Sequence, residues 1–131
     1  MVNKSSDTVS AWPQELIPDN DELFMRVHRQ WTRNGNPIPG AFQDRDGGMS
    51  TDWANYSTPE ETLRRARNPE KNGVLKMQVS EVRAIPNQTV VHTPEKTNRA
   101  HTDVLGMKDE EVRLKYTRIC TWIIDPPCDL S

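Results

Sequence analysis

From Asp21 onward apolar and polar side chains alternate. Leu23, Met25, Val27 and then Trp31 are interleaved with Phe24, Arg26, His28 and Gln30. A period of two sends successive side chains to opposite faces, so this stretch predicts a strand. The run Asn34-Gly35-Asn36-Pro37-Ile38-Pro39-Gly40 holds the densest turn chemistry in the chain and predicts a loop. A short strand at Ala41-Phe42-Gln43 is expected next, closed by Asp44-Arg45-Asp46-Gly47-Gly48, in which Asp46-Gly47 is a weak hairpin signal. A further strand is expected over Met49 to Trp53. Thr58-Pro59-Glu60-Glu61 then predicts a helix start: Thr58 caps, Pro59 suits the first helical position and Glu61 closes a capping box. That helix runs to about Arg67, where Asn68-Pro69 stops it.

In the second half, Leu75, Met77 and Val79 mark one face of a strand that follows Asn72-Gly73, and Ser80-Glu81-Val82-Arg83 suits one helical turn. Strands are expected at Thr89 to His92, from its β-branched content, and at 100–105, ended by Gly106. Asp109 opens a second helix in which Val112, Tyr116, Ile119 and Ile123 recur at helical spacing, until Asp125-Pro126-Pro127 ends it. The expected class is α+β: a mostly antiparallel sheet of about five or six short strands with two main helices, both on one side of the sheet. Residues 1–20 form an expected flexible arm, with Trp12, Leu16 and Ile17 as its sizeable apolar anchors and disorder to about Ser10. Residues 21–125 form the single domain, and 126–131 a C-terminal tail.

Composition removes several function classes. The 131 residues suit one domain, while a 34% apolar share and ten prolines indicate a modest core with rigid connections. Lys and Arg number 17 against 19 Asp and Glu, a net charge of −2, which argues against nucleic acid as the partner. No apolar run approaches the roughly 20 residues of a membrane span, and nothing of signal-peptide character follows Met1. A soluble, cytoplasmic protein is the expectation, with another protein as its partner. Cys120 and Cys128, eight residues apart, form neither a disulfide framework nor a zinc motif. A phosphate loop and a G-x-S-x-G elbow are absent, and no metal is expected.

The chemistry-bearing residues are the three histidines, all in strands or at strand ends. His92 and His101 bracket a Pro-containing loop carrying Lys96, Asn98 and Arg99, and His28 sits beside Arg26. Histidine suits proton transfer near neutral pH, and arginine stabilises negative charge. The candidate catalytic set is therefore Arg26, His28, His92 and His101, with Lys96, Asn98 and Arg99 binding ligand. A histidine at a strand end also serves simply as a loop cap. In His92-Thr93 and His101-Thr102 the Thr is adjacent, not one residue removed, so the two-histidine phosphoesterase pattern fails. The run Arg64-Arg65-Ala66-Arg67 suits a solvated helix face better than a phosphate site.

Taken in order, Arg26-Val27-His28, Ala41-Phe42, Met49-Ser50-Thr51-Asp52-Trp53, Thr58-Pro59-Glu60-Glu61-Thr62, Asn72-Gly73-Val74 and Asn98-Arg99-Ala100-His101 resemble a widespread group of short uncharacterised bacterial proteins, over about residues 22–124. Arg26-Val27-His28, the Phe42 and Ser50 region and the Thr58 helix are also similar, more weakly, to the RES and wider ADP-ribosyltransferase families. That resemblance implies NAD as cofactor and a cofactor-holding role for Arg26, with Tyr56 and Glu60 or Glu61 as imperfect matches for a downstream Tyr and Glu. Two readings follow. The favoured one is a small bacterial accessory or protein-binding domain, because so small and polar a chain leaves little material for a closed cofactor pocket. The alternative is an NAD-dependent ADP-ribosyltransferase or NAD hydrolase-like enzyme. Placement of Arg26, His28, His92 and His101 in one cleft would favour the enzyme.

Overall fold

A computed structural model describes residues 12–128. The expected disorder up to Ser10 and the end of the C-terminal tail lie outside the described residues. The elements in chain order are β1 (Glu22–His28), β2 (Thr32–Arg33), β3 (Asn36–Pro37), β4 (Met49–Trp53), α1 (Pro59–Arg64), β5 (Asn72–Gln78), α2 (Val79–Ala84), β6 (Thr89–His92), β7 (His101–Leu105), α3 (Glu110–Ile119) and β8 (Thr121–Ile124). Short 3₁₀ turns at Arg29–Trp31, Pro39–Ala41, Ala54–Tyr56 and Pro69–Lys71 link them. Six strands form one sheet in the order β6-β7-β4-β1-β5-β8, antiparallel throughout, and β2 and β3 make a separate hairpin. The fold is α+β.

The alternation in β1 divides the sheet into two faces. Leu23, Met25 and Val27 pair across β5 with Met77, Leu75 and Gly73, and this face carries the hydrophobic core. On it α3 packs through Val112 and Tyr116, whose ring stacks on Phe42 at 5.3 Å between centroids. The Tyr116 hydroxyl donates to Gln88 Oε1 at 2.7 Å, so the one polar atom of this buried ring is satisfied. Phe24, Arg26 and His28 point to the opposite face, and there α1 lies across the sheet, with Thr62 bonded to Asp52 and Arg26. The helices therefore cover both faces, not one. A buried polar Thr at the α1 contact replaces the apolar stripe that would have revealed this packing in the sequence.

Thr58 caps α1 as expected: its Oγ1 accepts from the Glu61 amide at 3.1 Å, and Glu61 Oε1 accepts from the Thr58 amide at 2.9 Å. The helix ends at Arg64, three residues short of the expected Arg67. At Asp46-Gly47 both residues have positive φ, and Arg45 and Gly48 bridge across them as the hairpin signal implied. The same chemistry at Asn34-Gly35, φ 54° and 82°, closes the β2–β3 hairpin inside the segment expected to be loop.

Three expectations are corrected. The first strand stops at His28 because the His28 ring accepts from the Gln30 amide and caps a 3₁₀ turn through Trp31. Ala41-Phe42-Gln43 is no strand: Pro39 starts a 3₁₀ turn that drops Phe42 into the core. The closing helix ends at Ile119, and Thr121–Ile124 joins β5 as the sixth strand. Ile123 matched the helical spacing, but Thr121, Trp122, Ile123 and Ile124 are β-branched or aromatic, and the open edge of β5 gives their backbone partners.

Below β7, Lys108 is buried with its Nζ donating to Asp44 Oδ1 at 2.8 Å, Gly106 O at 2.7 Å and Val104 O at 3.1 Å. Lys108→Met keeps the aliphatic stem and strands those acceptors. The expected loss is about 2 kcal/mol in urea denaturation, the usual penalty for unpaired buried polar groups; a loss below about 0.5 kcal/mol would mean that water replaces the ammonium.

Candidate functional site: a polar groove on the second sheet face

Because residues two apart share a strand face, β1 brings Arg26 and His28 to the α1 side, β4 brings Ser50 and Asp52, and β7 brings His101. These side chains line an open groove of about 950 Å³, bordered by Arg65, Arg67 and Asn68 after α1, by Gln43 and Arg45, and by the β6–β7 turn at Glu95, Thr97 and Asn98. That volume falls within the range of small-molecule sites.

Asp52 organises one wall. Its Oδ2 accepts from Thr62 Oγ1 at 2.8 Å and Arg65 Nη1 at 2.7 Å, and its Oδ1 from Asn98 Nδ2 at 2.9 Å. One buried carboxylate thus ties α1 and the β6–β7 turn to the central strands. Asn98 Oδ1 in turn accepts from the Ala100 amide at 3.1 Å, which fixes the turn.

Arg26 contrasts with this satisfied network. It is half-buried and donates through Nη1 to Thr62 O at 3.0 Å, its one hydrogen bond among the described residues, and there it makes no ion pair. Neither its Nε nor its Nη2 is a buried orphan, so both are open to the groove. Burial pushes its pKa below the ordinary arginine value; the Asp52 and Glu95 carboxylates counteract this and Arg65 reinforces it. A half-buried guanidinium with no carboxylate at ion-pair distance among the described residues has the donor geometry to hold an anion.

The histidines separate into three roles. His28 Nδ1 accepts from the Gln30 amide at 3.0 Å, which leaves Nε2 as an N–H donor at the groove. His101 also lines the groove, with Nδ1 3.1 Å from Thr93 O and Nε2 3.4 Å from Ser50 Oγ. His92 is on the core face, fully buried and edge-on to Trp53 at 5.1 Å. Its Nδ1 accepts from the Glu15 amide at 3.0 Å, and its Nε2 lies 2.7 Å from Arg99 O, a carbonyl that requires the proton on Nε2. The ring is a neutral structural pin.

That pin holds the arm. Gln14 Nε2 donates to His92 O at 2.8 Å, Tyr56 Oη donates to Glu15 Oε2 at 2.6 Å, and Ile17 is in the core. Arg99 lies over Tyr56 at 4.0 Å and Trp12 at 4.6 Å, and reaches Glu15 Oε2 at 3.5 Å. Of the sequence candidates, Arg26, His28, Asn98 and His101 are brought together in the groove, whereas His92 and Arg99 serve arm docking and Lys96 is exposed at the tip of the turn. Tyr56 belongs to the arm cluster, Glu61 to the capping box and Glu60 to the exposed start of α1. His92→Phe is expected to lower stability by about 2 kcal/mol through two backbone groups left unpaired, while groove ligands bind unchanged. Denaturation and calorimetric titration check the two halves.

Ser50 and Asp52 were missed by the sequence reading. Their signal was parity: in Met-Ser-Thr-Asp-Trp the polar Ser50 and Asp52 share the face that Met49, Thr51 and Trp53 do not use, and Asp is depleted from strands. Cys120 is no nucleophile at neutral pH, since burial pushes its thiol up to about 11. Among the described residues no group of three or more His, Cys, Asp and Glu is arranged to hold a metal, and no helix is long and apolar enough to cross a membrane. No family model, curated protein or solved structure matches this chain.

Proposed function

We propose that this chain is a small cytoplasmic accessory domain of bacterial origin whose groove binds a phosphate-bearing anion of dinucleotide size, with NAD as the first candidate. The observation that carries this reading is Arg26, a half-buried guanidinium open to the groove with no ion pair among the described residues. His28 Nε2–H adds a neutral donor, and Arg45 and Arg67 add positive charge at the rim. Small as the chain is, its groove of about 950 Å³ has room for such a ligand. Arg26 is also the position to which the ADP-ribosyltransferase resemblance assigns the cofactor. This brings the NAD-dependent enzyme reading level with simple binding, although Tyr56, Glu60 and Glu61 are away from the groove.

A thermal-shift titration tests the proposal. Ligand at about 100 times its dissociation constant stabilises by about 2.7 kcal/mol, which raises Tm by roughly 10 °C in a domain of this size. NAD and inorganic pyrophosphate are both expected to shift the transition. The absence of any shift at millimolar concentration of either overturns the reading.

A protein partner is the second reading, favoured by the apolar side chains of Leu114 on α3 and Ile123 on the edge strand β8, each about 40% exposed.

A further inference from the structure

We infer that Ser50 and His101 form a nucleophile and general-base pair directed at a phosphate ester seated on Arg26. The inference rests on the anion-binding reading of the groove for its substrate class, but not for the reactivity of the pair.

Geometry assigns the proton on His101. Thr93 O, a carbonyl, accepts and never donates, so the 3.1 Å contact places the hydrogen on Nδ1. Thr93 Oγ1 lies 3.0 Å from the same nitrogen. The lone pair is then on Nε2, which faces Ser50 Oγ at 3.4 Å. A separation of this size is usual for a base and nucleophile before substrate closes on them. A backbone carbonyl here does the orienting work that a carboxylate does in a Ser-His-Asp arrangement. The Ser50 hydroxyl is exposed in the groove and has no other hydrogen-bond partner among the described residues. Glu95 Oε2 at 3.7 Å and Asp103 Oδ1 at 4.0 Å flank Nε2.

The same strands supply the electrophile's seat. Phe24 and Asp52 are register partners on β1 and β4, and Arg26 and Ser50 lie two residues further along each strand on the same face. Negative charge held by Arg26 is thereby brought to the side of the sheet where Ser50 is exposed. The neighbouring guanidinium groups favour a reacting centre that is already anionic, hence a phosphate ester. In the reaction His101 Nε2 takes the Ser50 proton as the Oγ–P bond forms and the P–O bond to the leaving alcohol breaks. The imidazolium returns its proton to that alcohol. Water, deprotonated by the same nitrogen, then cleaves the phosphoseryl bond and restores both groups. His92 and His28 take no part, because their Nδ1 lone pairs are occupied by the Glu15 and Gln30 amides.

Labelling with a fluorophosphonate ester, read by intact mass and peptide mapping, tests the pair without needing anion binding. One adduct is expected at Ser50, formed with loss of fluoride. Ser50→Ala abolishes it, and His101→Gln and His101→Asn each slow it about 100-fold, the lower range for general-base assistance. Both His101 variants are compared at unchanged Tm and unchanged circular dichroism, the signs of an intact fold. No adduct, an adduct elsewhere, or labelling at the wild-type rate in either His101 variant overturns the inference. A persistent NAD shift in that case leaves the anion-binding reading standing. Labelling without any NAD shift has the opposite meaning.

Discussion

Asp52→Ala is expected to lower the unfolding free energy by about 3 kcal/mol, the largest stability effect of any single change at the groove. The carboxylate is almost fully buried and accepts from Thr62, Arg65 and Asn98, so its removal strands three donors at once. Loss of one partner from a buried pair costs about 3 to 5 kcal/mol. The lower end applies because the Arg65 side chain is 30% exposed and recovers water. Asp52→Asn keeps the shape and one acceptor, and its loss is expected to be smaller. The effect is also topological, since Asp52 joins α1 to the β6–β7 turn across the central strands. Urea denaturation with an unchanged m-value reports it. A loss under about 1 kcal/mol would show that α1 is held by apolar contacts alone.

Arg26→Met is expected to do the reverse: weaken anion binding about 100-fold while leaving stability nearly unchanged. Charge-assisted hydrogen bonds to a phosphate contribute about 2 to 3 kcal/mol, and each 1.4 kcal/mol is about tenfold in affinity. The folded state loses little, because Arg26 makes one backbone hydrogen bond and its charge is already penalised by burial. A methionine fills the same half-buried volume without that penalty. Loss of affinity without loss of stability is the pattern of a residue retained for ligand and not for fold. Arg26→Lys is expected to fall between, since an ammonium lacks the planar fork. Calorimetric titration with NAD and with pyrophosphate measures both variants.

Much of the sheet was legible in the sequence. Alternation marked β1 and β5, a strand was expected at β4, β-branched content marked β6, and the capping box at Thr58 marked α1. The site was only half legible. Arg26, His28, Asn98 and His101 do converge, yet His92 is buried on the other face. Parity contained that answer, because His92 is two residues from the buried Val90 and shares its face, whereas His101 and Asp103 alternate with the buried Thr102 and Val104. No local pattern placed β4 between β1 and β7, since that order joins strands far apart in the chain. Nor could it place α1 on the polar face. Its contact runs through Thr62 and Asp52, and hydrophobic periodicity is blind to a polar interface. The strand at Thr121–Ile124 was lost to a chance match with helical spacing, and only the free edge of β5 decides it.

The central claim is that an anion binds on the second sheet face at Arg26. Backbone amide NMR during a titration with NAD tests it most directly. The account predicts shifts concentrated at residues 26–28, 50–52 and 95–98 and at His101, saturable in the native protein and lost in Arg26→Met. Shifts confined to the arm, to the β2–β3 hairpin or to α3, or none at millimolar NAD, would contradict it.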